Sequence, residues 1–376
     1  MQLQPFQRLY GSLYVKLVQL WPEECDSRIV NMVFLLMGMW GARSVQSGRV
    51  AAHVPVAAKK MSIVRRFERF LSNGAVRVRA WYEPVARSII GAASVAGQIH
   101  LVLDTTKVSS HHRLLMVGAA YQRRVLPLAW TWVLTSRGHS STTKQVALLS
   151  YVRSLIPAGI QVSLVGDCEF GHPAVLDAMH IWHWDYALRQ SGHLLVQLSD
   201  ADEWVRLDSL ITQRGDRRFI PTVKLTAAHG ITTNLLLYWD PRYPDPWLLA
   251  TNLTRPGLAL RLYRRRAWIE NMFGDLKGNG FDFERSSLRH FLRLSRLTLA
   301  VCLLYVWFLA FATQLVRARL HSQVDRADRR DLSLFRIAWD SLHRALLSDL
   351  PFEVLFEPFF GDLPQFRPCG RSVSGG

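Results

Sequence analysis

The hydrophobic pattern changes period several times along the chain, and the changes divide it. Residues 1 to about 90 read as helical. A basic and apolar stretch at residues 58–71 suggests an amphipathic helix within them. From Gln98 the pattern turns to strands. Residues 99–104, 114–120 and 125–134 predict three sequential antiparallel strands, with a turn at Gln122 and Arg123. Residues 143–155 predict a helix, 162–167 a strand, 173–180 a helix and 185–189 a fifth strand. Between Ser191 and about Ala250, alternating segments such as 219–225 and 233–238 suggest a β-rich insertion. Helical spacing then returns in residues 263–277, in the apolar run 297–312 and in residues 332–342.

The spacing in residues 263–277 singles out four side chains. Tyr263, Arg266, Glu270 and Lys277 are three, four and seven residues apart, which are helical steps. At roughly 100° per residue all lie within about 40° of Glu270, on a stripe about 21 Å long. One carboxylate thus sits among cations and a phenol, bordered by Ala267, Ile269, Phe273 and Leu276. A solvated helix face with ordinary ion pairs has the same spacing.

Two acids upstream weigh against that plainer reading. Asp104 ends the first predicted strand and is followed by Thr105 and Thr106. Asp167 ends the fourth and precedes a turn containing Gly171. Either alone is also explained as a helix cap or turn residue. Three carboxylates from two strand ends and a helix can hold two Mg²⁺ ions about 3.5 to 4 Å apart, the arrangement that activates an attacking oxygen and stabilises a departing one.

The ordered set Asp104, Asp167 and Glu270, the last inside Tyr-x2-Arg-x3-Glu-x6-Lys, resembles the DDE transposases of bacterial insertion sequences, in the group named for the YREK signature. The resemblance extends through residues 167–171, 184–189 and 247–251, and covers roughly residues 60 to 315. The order of three strands, helix, strand, helix and strand is the one a ribonuclease H-like fold requires, and it brings the ends of the first and fourth strands side by side. The expected fold class is therefore α/β, a ribonuclease H-like mixed-sheet catalytic core with a β-rich insertion and flanking helical regions.

The resemblance implies roles. Asp104, Asp167 and Glu270 would hold two Mg²⁺ ions, with Mn²⁺ able to substitute, and no covalent intermediate would form. Arg266 and Lys277 would hold phosphates near the scissile bond, and Tyr263 a neighbouring phosphate oxygen. A tryptophan at the end of the insertion stacks on a base flipped out of the transposon end in this group, and Trp247 is the matching position. Unaided, a tryptophan beside Leu248 and Leu249 reads more readily as core than as a base platform. Glu169, two residues beyond Asp167, is a candidate auxiliary acid.

Composition agrees. The 376 residues carry a formal charge of +17, and only seven of the 46 basic residues are lysine, the rest being arginine. Arginine binds phosphate through a planar fork, so the natural partner is a polyanion. The basic residues are spread along the chain rather than massed beside one apolar helix, which argues against an anionic membrane surface. The 16-residue run 297–312 falls short of the usual span of about 20 residues and reads as a buried core helix. In the resembled group a helix in this place packs against the sheet.

Cys25, Cys168, Cys302 and Cys369 show no pairing pattern, which suits a reducing cytoplasm. No signal peptide is read at the N-terminus. There is no P-loop or dinucleotide fingerprint, and His172, His180 and His183 lack the nearby thiolate pair of a common zinc site.

The expected organisation is a helical DNA end-binding region (1–90), the first part of the core (91–190), the insertion (191–252), the second part of the core with the signature helix (253–317), and a C-terminal helical region with a disordered tail (318–376). The expected activity is metal-dependent cleavage at insertion-sequence ends and strand transfer into target DNA, by a homodimer on terminal inverted repeats, in the bacterial cytoplasm at the nucleoid. A catalytically silent DNA-binding relic, or a non-mobile nuclease of the same fold, are the alternatives.

Overall fold

The apolar positions of the N-terminal region fold as five helices: α1 (Gln4–Leu20), α2 (Asp26–Ala42), α3 (Ser47–Ala52), α4 (Lys60–Ser72) and α5 (Val78–Ser94). In α4 the stripe Ile63, Val64, Phe67, Phe70 and Leu71 is buried, while Arg65, Glu68 and Arg69 face solvent. The computed structural model describes residues 4–134, 139–199, 202–226, 228 and 230–365. The expected disorder at residues 368–376 lies outside the described residues. The chain forms two compact units, one of residues 93–273 and one of residues 1–92 with 274–376.

In the first of these units, β1 (Gln98–Lys107), β2 (His112–Tyr121) and β3 (Arg124–Leu134) form an antiparallel meander. The turn between β2 and β3 falls at Gln122 and Arg123, both at positive φ, as the sequence reading expects. Next come α6 (Thr142–Leu155), β4 (Gln161–Gly166), α7 (Pro173–Trp182) and β5 (Asp185–Arg189). β4 pairs parallel to β1, and β5 parallel to β4. The insertion supplies β6 (Leu195–Gln197), β7 (Trp204–Arg206), β8 (Arg217–Leu225), β9 (Ile231–Tyr238) and β10 (Trp247–Thr251). These continue the same sheet, in the order β3-β2-β1-β4-β5-β10-β9-β8-β6-β7. The five-strand core with parallel β1, β4 and β5 is ribonuclease H-like, so the mixed α/β fold class holds.

Two expectations need correction. The sequence reading ends the first strand at Asp104, but β1 runs on to Lys107 because its pairing with β2 continues past the acid, with Asp104 opposite Met116. What does end near Asp104 is the parallel pairing with β4, whose last partners are Leu103 and Gly166. That register sets Asp104 beside Asp167, where β4 stops.

The continuous signature helix is also absent. It is two helices, α8 (Pro256–Arg264) and α9 (Ala267–Leu276). At the joint the N–H groups of Arg265, Arg266, Trp268 and Ile269 each donate to the carbonyl three residues back, and this tighter bonding breaks the helical stripe. Lys277 falls beyond α9, at the head of the turn Lys277-Gly278-Asn279-Gly280.

The remaining helices are α10 (Phe291–Arg317) and α11 (Leu334–Leu347). By length and hydropathy α10 is apolar enough to cross a membrane, yet 89% of its most apolar window is buried inside the fold. Its main packing partners are α2, α4 and α11. Arg296, buried near its start, donates to the carbonyls of Val76 and Leu71 at 3.0 and 2.9 Å, closing the ends of the α4–α5 connection.

Candidate active site

Three acids distant in sequence converge on one guanidinium. Arg266 Nη2 donates to Asp104 Oδ2 and to Asp167 Oδ2, at 3.1 Å each. Its Nη1 donates to Glu270 Oε1, one helical turn further along. The elements explain the convergence: β1 and β4 bring the two aspartates side by side, and the break between α8 and α9 places Arg266 one turn before Glu270. Asp104 is the deepest of the three, and Glu270 the most open, with 57% of its side chain exposed. The acids thus line a site from its floor to its mouth.

Burial dominates the electrostatics at the floor. It pushes the Asp104 carboxyl up to about 6, against the opposing pull of Arg266 and of the Thr105 N–H. That N–H donates to Asp104 Oδ1 at 2.7 Å. Asp167 Oδ1 accepts from the Cys168 N–H at 2.8 Å and lies 3.8 Å from Arg189 Nη1, at the end of β5. Nearby on β1, the His100 ring pairs with Ser163 Oγ at 2.6 Å; burial, reinforced by Arg265, holds it down at about 4 and therefore neutral.

Glu169, the candidate auxiliary acid, is held by neighbours on both of its oxygens. Its Oε1 accepts from Ser140 N and Oγ at 2.7 and 2.6 Å, and its Oε2 from Thr105 Oγ1 at 2.7 Å. It ties the chain before α6 to the residue after Asp104. Gly166 leaves room for this arrangement. A methyl group there would meet Phe170 at 3.0 Å, so glycine lets the turn at residues 168–170 close back over β4.

Tyr263 is buried, and burial together with Asp167 pushes its phenol well above the usual range. Its ring meets Trp247 edge-on at 5.1 Å. Trp247 is half-buried among Tyr238, Tyr243 and Tyr263. Lys277 pairs with Glu284 at 2.9 Å. The histidines weighed for zinc serve local structure: His172 Nδ1 accepts from the Ala174 N–H, His180 pairs with Tyr186, and His183 caps α7 in the left-handed conformation.

Three convergent carboxylates are the hard oxygen donor set that divalent cations take. Two of the donor oxygens share one nitrogen of Arg266, so the acids already meet around a positive charge. No group of three or more His, Cys, Asp or Glu among the described residues is arranged to hold a metal ion. The donor chemistry of the three acids suits such an ion, and Arg266 Nη2 lies between two of them.

Sequence reasoning missed Thr105, Ser140 and Arg189 as partners of the acids. The doubled threonine after Asp104 was the only visible signal for the first. Nothing in the pattern marked Ser140, which lies 29 residues from the acid it binds.

Residues 116–307 match the family model described as the transposase DDE domain. The matched stretch holds Asp167, Tyr263, Arg266, Glu270 and Lys277, and begins after Asp104. No curated protein matches the sequence. Among solved structures, the chain is similar to a piggyBac transposase in a cryo-EM synaptic complex with hairpin DNA. There the TM-score is 0.47 and the identity 10%, over 91% of this chain and 78% of that one.

Proposed function

We infer the activity from one premise: the chain belongs to the transposase DDE domain family, whose match spans residues 116–307. It is a transposase whose substrate is DNA. Within that class, our reading is metal-dependent cleavage at the ends of a bacterial insertion sequence followed by strand transfer into target DNA, by a member of the YREK-signature group. The observation that supports it is the convergence of Asp104, Asp167 and Glu270 on one cationic position.

Asp104, Asp167 and Glu270 would hold the divalent cations, with Mg²⁺ the expected species. When bound, such ions supply activation of the attacking oxygen and stabilisation of the departing one. The chain's own residues do the rest. Thr105 and Cys168 N–H groups fix the two aspartates through their second oxygens. Arg266 and Lys277 hold phosphates of the DNA, and the fork of Arg266 also sets their orientation. Trp247, offering part of its ring, stacks a displaced base, and the buried Tyr263 holds that tryptophan's edge. The basic surface of α4 meets DNA near the element ends, and two copies bring two ends together.

The deciding experiment uses DNA carrying the terminal repeats that flank this gene, with Mg²⁺, and compares wild type with Glu270→Gln. Joined product from wild type alone supports the reading. Binding without cutting by either protein favours a silent relic, cutting without joining favours a non-mobile nuclease, and equal cutting by both removes Glu270 from the site.

A further inference from the structure

We propose that Arg266 is a resident counter-cation that competes with divalent metal for Asp104, Asp167 and Glu270, so that metal entry and release of this guanidinium are one exchange. The proposal rests on the reading of those three acids as the metal ligands. Asp104 Oδ2 and Asp167 Oδ2 both accept from the same Nη2, and Glu270 accepts from Nη1. While Nη2 lies 3.1 Å from both Oδ2 atoms, an ion cannot occupy that same position between them.

Other details make the guanidinium exchangeable. Arg266 Nε is buried and has no hydrogen-bond partner among the described residues, so only the three acids hold the head group. The residue sits at the joint between α8 and α9 rather than inside either helix, and 22% of its side chain is exposed. Three carboxylates also outnumber the two guanidiniums beside them, those of Arg266 and Arg189. The cluster keeps unmet negative charge, which a compact divalent ion neutralises better than a delocalised monovalent one.

The exchange has a consequence for DNA. While Arg266 binds the acids it cannot hold a phosphate, and once displaced it presents two free N–H edges. Metal binding and phosphate capture therefore favour each other, and by linkage the coupling acts in both directions.

The test is a titration of the full chain with Mn²⁺ alone, counting the free ion by electron paramagnetic resonance. Arg266→Gln should bind Mn²⁺ about tenfold more tightly than wild type. Arg266→Lys, which keeps the charge but loses the fork, should fall between them. Unchanged affinity in both variants overturns the exchange. Weaker binding overturns it too, by showing that the guanidinium organises the ligands instead of excluding the ion. Asp167→Asn separates this proposal from the reading beneath it. If that change leaves Mn²⁺ binding intact, the acids are not the ligands and both fall; if it weakens binding while Arg266→Gln does not strengthen it, only the exchange falls. Thermal denaturation supplies a second readout. Arg266→Gln should melt below wild type in EDTA and rise further with Mn²⁺, and equal rises for the two proteins would count against the exchange.

Discussion

Helix α10 and strand β1 are both deeply buried in their own units, yet they treat polarity differently. In α10 the buried hydroxyls of Thr298 and Thr313 turn back onto carbonyls of their own helix, at 2.7 and 2.9 Å. Around them stand Val301, Leu304, Phe308 and Ala312, wholly apolar. Strand β1 is as apolar at Leu101, Val102 and Leu103, but it also carries His100 and Asp104, whose side-chain partners lie on other elements. Local satisfaction is what an element needs when stability alone shapes it. Where α10 does bond across its unit, Arg296 meets backbone carbonyls; a buried carboxylate held by a charged side chain of another element is instead the pattern of a candidate site.

The largest effect expected from breaking this contrast is on the acids. Asp167→Asn should lower cleavage by roughly three orders of magnitude or more while leaving DNA binding measurable in a gel shift. If binding disappears as well, the acid is structural and the contrast dissolves. Next in size is Phe308→Ala in α10, a fully buried ring. It should cost about 3–5 kcal/mol in chemical denaturation, with cleavage per folded molecule unchanged.

Asp104→Asn should do the reverse of Phe308→Ala. The folded carboxyl sits at about 6 against an ordinary 3.8, so the fold holds its proton more tightly than the unfolded chain does. Its contribution to stability therefore falls as pH rises from about 4 to about 6. Removing the charge should raise metal-free stability at pH 7 by about 1–3 kcal/mol while abolishing cleavage. Denaturation midpoints at pH 4.5 and 7 check this, and a less stable Asn variant at pH 7 would refute it.

The smallest effect belongs to His100, held at about 4 against 6.5 and so neutral in the fold. Its contribution is present above pH 6.5 and is lost as pH falls towards 4. His100→Gln should flatten that acid limb by about 1–2 kcal/mol, given that the ring is partly exposed. An unchanged limb would place the acid sensitivity elsewhere.

Much of this was legible in the chain, for reasons that differ by residue. The β1, β2 and β3 meander shows in alternation and in the paired turn residues, because side-chain period and turn chemistry are local properties. Asp104 and Asp167 stand out as acids beside apolar runs. That Asp104 lies inside a strand was not legible, since the continuation depends on β2 pairing beyond the reach of β4. The joint at Arg265 and Arg266 was hidden because arginine is a good helix former and neither glycine nor proline announces a break. The exit of Lys277 from α9 did carry a signal, in the Gly278 and Gly280 that follow it. Arg266 reads as a phosphate ligand by spacing; its grip on three acids appears only when β1, β4 and α9 are brought together.

The register between β1 and β4 has one more consequence. Leu103 faces Gly166 across a parallel pair, and the site begins at the very next residue on each strand. Side chains in a strand alternate faces, so a slip by one residue would turn Asp104 away from Asp167 altogether, while a slip of two would keep the face and move the acid by about 6–7 Å. Evolution cannot tune the distance between these two acids by small indels within the strands. Length variation in descendants and relatives should therefore collect in the connections, as in the insertion between β5 and β10, while the number of residues from Gln98 to Asp104 and from Gln161 to Asp167 stays fixed.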